Sequence, residues 1–199
     1  MESNYDKAAQ AARKLFIEYD QNRITDKFSL KNDEKYIYVN FFSRTYRIDR
    51  TDGEMNCPEK GGKVTFNEYL SIFDALCYST SKPALSGQWA PVNSLGNLKN
   101  GVRNEGGFYK QYTLLFEDKP DKIQRACEKM NGIKADKGDI AYILPVFDFF
   151  PMYFRFWYAD EDFPAQMNFL WDTNAPDFVH YETLWYIASA LCERIKEEL

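Results

Sequence analysis

The stretch FLWDTNAPDFVHYETLWY, residues 169–186, carries the only histidine of the chain, His180, eight residues after Asp172. A neutral imidazole at the start of a helix is able to coordinate a metal, to ligate the iron or cobalt of a tetrapyrrole, or to polarise a carbonyl. The plainer reading makes His180 a helix cap, or a ring packed against Phe178 and Trp185. Asp172 has a plain reading too, because WDTNAP is good turn chemistry, an aspartate bonding back to the chain ahead of a proline. With Asp148, these residues make a candidate metal set, Asp148, Asp172 and His180, of the kind a metal-assisted hydrolase or lyase would need.

Arg155 interrupts an aromatic run, between Phe154 and Phe156. Strand alternation puts it on the face of Tyr153 and Trp157, where a guanidinium is paired with a carboxylate, stacked on a ring, or aimed at an anionic ligand. Pairing is the default, since an unpaired buried charge is costly. Trp89 sits in a glycine-rich, proline-containing stretch, residues 81–107, that has no sustained periodicity. A loop of that length inside a compact domain is commonly functional. The ligand-binding candidates are therefore Trp89, Arg155, Asp172 and His180.

Other chemistries lack their signatures. The four cysteines, at 57, 77, 127 and 192, include no CxxC pair, and Cys77, Cys127 and Cys192 fall on apolar helical stripes where a reduced thiol acts as a small hydrophobe. Cys57, before a proline in a polar stretch, is the one expected to be exposed. No Gly-x-Ser-x-Gly, Walker or dinucleotide pattern is present, and any serine or cysteine triad would have to use His180 as its base.

Positioning these residues falls to a mixed set of elements. Helical spacing predicts a first helix over 4–20, with Ser3 and Asp6 as a capping box. Alternation in KYIYVNFF and RTYRID predicts a hairpin over 35–49, with a short third strand near 54–56. Thr65 and Glu68 predict the start of a helix over 65–79. Two shorter helices follow, near 107–117 and 120–130. Strands within 139–172 (139–147, 152–158, 166–172) precede a closing helix over 181–198. Grouped strands and helices with short connections predict one α+β domain, mainly an antiparallel sheet with flanking helices. A meander of the last three strands places Asp148, Asp172 and His180 at one end and Asp160, Glu161 and Asp162 at the other.

A chain of 199 residues with a net charge of -5 has no basic excess for a phosphate backbone, so nucleic acid is not an expected partner. Its start lacks the basic-then-apolar order of a secretory signal, which predicts a cytoplasmic protein. The long apolar run AYILPVFDFFPMYFRFWYA is broken by Pro145, Asp148, Pro151 and Arg155, so no membrane span is expected.

The segments YDKAAQAARKLF, FFSRTYRI, ALSGQWAPVNSL, GDIAYILPVFDFFPMYFRFW and DEDFPAQMNFLWDTNAPDFVHYETLW together resemble a bacterial and archaeal domain of unknown function, number 3786, found largely in anaerobes. The resemblance covers nearly the whole chain and carries Gly87, Trp89, Pro164, Asp172 and His180 as landmarks without roles. It implies no established activity. The expected function is binding of a small molecule, a metal or a tetrapyrrole-like cofactor between the sheet and the 81–107 stretch. The alternatives are the hydrolase or lyase above and an accessory protein that docks to an anaerobic metalloenzyme through an exposed aromatic patch.

Overall fold

The computed structural model describes residues 4–95 and 109–199. It is an α+β fold with two antiparallel sheets. The chain begins with α1 (Asn4–Glu18) and α2 (Gln21–Phe28). A single helix over 4–20 was the expectation; instead Asp20 ends the first helical run and caps a second. Its carboxylate accepts the amides of Asn22 and Arg23 at 3.1 and 3.2 Å, which are donors that a helix start otherwise leaves unsatisfied. The proposed Ser3–Asp6 capping box lies outside the described side chains.

The first sheet is β1 (Tyr36–Phe41), β2 (Arg44–Asp49) and β3 (Met55–Asn56), in that order. Phe42 and Ser43 close the β1–β2 hairpin with φ of 47° and 60°. Two successive positive φ values match the right-handed twist of the flanking strands. The cost of holding a phenylalanine there is offset by its complete burial and by donation of its N–H to Val146 O at 2.9 Å in the second sheet. Phe41 meets Phe147 across the same junction, with ring centroids 5.1 Å apart.

Helix α3 (Phe66–Cys77) starts at a complete capping box in which Thr65 and Glu68 satisfy each other's backbone amides. Glu68 does more than cap. It is buried, and its carboxylate also accepts Lys60 Nζ at 2.6 and 2.8 Å and the Tyr46 hydroxyl at 2.7 Å. Burial alone would raise its pKa, but the hydrogen bonds from Lys60, Thr65 and Tyr46 outweigh it and hold the carboxyl below its usual range. Burial, with the Glu68 charge and hydrogen bond, raises Tyr46.

The second sheet runs β4 (Trp89–Pro91), β8 (Gln166–Asp172), β7 (Phe150–Trp157), β6 (Ile140–Phe147) and β5 (Ile133–Lys134). All pairings are antiparallel. Alternation selects its core face: Leu144, Met152, Phe154, Phe156 and Trp171 are essentially inaccessible. Between β4 and β6 come α4 (Lys110–Phe116) and α5 (Pro120–Lys129), and α6 (Tyr181–Lys196) closes the chain. Leu184 and Ala188 of α6 face Met167, Phe169 and Trp171 of β8 around a cavity of about 20 Å³, room for roughly one water.

All four cysteines are free and buried, including Cys57, which sequence context placed at the surface. Cys57 is fully buried, with its Sγ 3.4 Å from Glu59 Oε2. Burial is the main cause that raises all four thiols, Cys77 to about 12. Among the described residues no helix is long and apolar enough to cross a membrane.

Candidate functional site

His180 meets a carboxylate that sequence spacing does not suggest. Asp74, in the last turn of α3, accepts the His180 ring Nδ1 at 2.6 Å through Oδ1. Its Oδ2 accepts the His180 backbone amide at 2.8 Å and the Thr183 hydroxyl at 2.6 Å. An ionised aspartate only accepts, so the ring proton of this contact sits on Nδ1, and in the neutral ring Nε2 carries the lone pair. Among the described residues Nε2 has no hydrogen-bond partner.

Asp74 thereby caps α6 from another helix. His180 occupies the N-cap position with φ -63° and ψ 156°, and its own side chain makes no cap bond. The ring does not pack on Phe178 or Trp185; it lies over Tyr78, with centroids 3.4 Å apart and planes inclined by 31°. Three donors, one ring face and one helix end thus fix the imidazole. Carboxylate support at Nδ1 sets the tautomer and orientation of a histidine whose other nitrogen is used on a ligand.

Replacing Asp74 with Ala is expected to cost about 2 kcal/mol, combining a lost helix cap with donors left unsatisfied. Urea unfolding at neutral pH measures it. In the same variant, ¹⁵N spectra of the sole imidazole should show both tautomers where the native protein shows one.

The ring lines a cleft of about 260 Å³ between α1, α3 and α6. Its walls are Ala12, Leu15, Leu70, Phe73, Tyr78 and Tyr186, and Asp74, Cys77, His180 and Thr183 also line it. A larger groove of about 360 Å³ runs between α4 and the start of β8. Its charged groups are Lys110 and Glu117, one of each sign.

The other candidate residues are held by separate partners. Asp172 is buried, and it accepts Ser86 N at 3.0 Å, Ser86 Oγ at 2.9 Å, Gly87 N at 2.8 Å and Asn174 N at 2.8 Å. Burial acts to raise its pKa, and these amides and the hydroxyl more than reverse that, so the carboxyl sits below its usual range. Asp172 therefore ties the chain entering β4 to the end of β8. Trp89 is a strand residue of β4, directly paired with Asp172 and edge-on to Tyr153 at 5.7 Å. The expected unstructured stretch over 81–107 is thus a strand at 89–91, while the part over 96–107 lies outside the described residues.

Arg155 has no carboxylate partner among the described residues. Its guanidinium carbon lies 5.5 Å from the Tyr153 ring centroid and 5.0 Å from that of Trp157, so stacking replaces the expected pairing. Asp148 accepts the Asn40 amide at 3.0 Å. It occupies the β6–β7 turn, at the end of the sheet to which the β7–β8 register also brings Asp172. The meander argument thus places the two aspartates as expected, but His180 is drawn to α3. Among the described residues no three His, Cys, Asp or Glu side chains converge to hold a metal ion.

Asp74 carried one usable signal, an acidic residue next to the apolar stripe of Tyr69, Leu70, Phe73 and Cys77 on a well-capped helix. Its meeting with His180 spans 106 residues and depends on how α3 packs on α6, which no local pattern encodes.

Comparison with curated proteins and with solved structures gives no match to either. A family model, Domain of unknown function (DUF3786), matches residues 9–194. The chain belongs to that family.

Proposed function

We propose that this protein binds a small molecule in the cleft between α1, α3 and α6, with Nε2 of His180 as the polar anchor. The observation that carries the reading is the Asp74 contact, which holds a half-exposed imidazole in one orientation and leaves its second nitrogen without a hydrogen-bond partner among the described residues. A mostly apolar cavity with few fixed polar groups is the usual composition of a ligand site. The described residues that line the cleft come from the helices and their ends, and none of them from the sheet or from 81–95, where the ligand was expected to lie between sheet and loop. Trp89, Arg155 and Asp172 support the sheet in this reading. An imidazole backed by a carboxylate is also how a histidine is held for an open position on a metal-bearing cofactor, and such a cofactor is the second reading.

A thermal-shift screen of apolar fragments, each carrying one polar group, tests the proposal. Compounds at about 100 times their Kd should stabilise the protein by about 2.7 kcal/mol, a rise in Tm of several degrees. The shift should vanish in Leu70→Trp, which fills the cleft, and shrink at least ten-fold in affinity in His180→Ala. Hits that bind Leu70→Trp unchanged would refute this site. An absorption spectrum and metal analysis of anaerobically purified protein test the cofactor reading.

A further inference from the structure

From the charges around this cleft we infer that its ligand is a hydrogen-bond donor without negative charge, and most favourably a primary amine on an apolar body. This rests on the binding proposal above and names the class of molecule it admits. Four features point the same way. Nδ1 is committed to Asp74, so in the neutral ring Nε2 offers a lone pair and asks for an N–H or O–H.

The α6 N-terminus would ordinarily attract an anion. Here Asp74 already occupies that position, taking the His180 amide and the Thr183 hydroxyl, so an incoming carboxylate meets a carboxylate. Among the described residues no lysine or arginine lines the cleft. The nearby Lys27 is engaged elsewhere, donating to Ser79 Oγ at 2.7 Å and Ser79 O at 3.2 Å and lying over the Phe28 ring. Finally, Phe73, Tyr78 and Tyr186 supply aromatic walls, whose π faces attract an ammonium and leave a carboxylate without compensation. An ammonium gains from Asp74, the rings and Nε2 together; an alcohol gains from Nε2 alone; a carboxylate gains from none.

Benzylamine, benzyl alcohol and benzoate share a ring and differ in the group presented. Each is titrated into the wild-type chain at pH 7.5, followed by the ¹⁵N and ¹³C resonances of the one imidazole and by the Tm. The expected order is benzylamine, then benzyl alcohol, with benzoate at least ten-fold weaker than the amine. Benzoate binding as tightly as benzylamine, or an alcohol stronger than the amine, overturns the inference while leaving a ligand site at His180. If none of the three moves the imidazole signals at millimolar concentration, both the inference and the site fall.

Discussion

Replacing Glu68 with Ala should destabilise the protein by about 3–5 kcal/mol, the range for removing one partner of a buried ion pair. In a chain of this length that corresponds to a Tm lower by roughly 6–20 °C. The side chain is only 5% exposed and Lys60 15%, so solvent does little to screen the loss. Removing the carboxylate leaves the Lys60 ammonium, the Tyr46 hydroxyl and the Thr65 amide without their acceptor. It therefore removes the polar ties of α3 to the hairpin and to the turn after β3. Calorimetry of the wild type and the variant reads the difference directly. A Tm change below about 2 °C, less than the effect of 1 kcal/mol, would contradict this account.

The pH dependence follows from the same group. The folded carboxyl of Glu68 sits below the usual 4.5, so the stabilisation is fully present above that value and is lost as pH falls through the folded one. In Glu68→Gln the acid limb of the stability curve should flatten, because that proton uptake on unfolding is gone.

The second large effect is expected at Asp172. Its Ala variant leaves three backbone amides unsatisfied at the β4–β8 junction, while the Ser86 hydroxyl keeps Thr173 Oγ1 at 2.7 Å. At about 1–3 kcal/mol for each orphaned donor, tempered by the entry of water, the loss is about 3–4 kcal/mol. Asp172 is also a depressed carboxyl, so its contribution persists above the ordinary aspartate value and fades as pH drops through the folded one. Asp172→Asn should lose less, since the amide oxygen still accepts from one side. Chemical denaturation of both variants at pH 7 and at a pH below the ordinary aspartate value separates these effects. An Ala variant as stable as the native chain would show that the junction is held by strand pairing alone.

Much of the scaffold is legible because it is local. Thr65 and Glu68 announce α3 through their spacing, and the period-two pattern of 140–157 places Phe154 and Phe156 on one face and Arg155 on the other. What is not legible is what two distant elements do to each other. Asp20 reads equally as the end of one helix or the cap of the next. The three residues of β4 are too few to show alternation, and only their pairing with β8 makes them a strand. The candidate site fails in the same way. His180 stands out because it is unique, but sequence proximity points for its acidic partner to the neighbouring strands and turns. Close in sequence does not mean close in space when a helix as long as α3 can deliver a side chain from the opposite direction. Arg155 illustrates the converse, since rings flanking it at i±2 on its own strand are visible in the sequence and supply the contacts that a remote carboxylate was expected to provide.

The junction at Phe42 and Val146 ties the early hairpin to the late meander. Phe149, from the β6–β7 turn, stacks on Phe28 at 3.7 Å, joining α2 to the same place. Neither the first third of the chain nor its last third owns a complete apolar interior, and each supplies the wall that the other lacks. During synthesis the hairpin emerges long before its counterpart, so it must wait with Phe41 and Phe42 uncovered until residues 140–150 are made. For a newly made chain, that interval is the period of greatest exposure to aggregation and to chaperones.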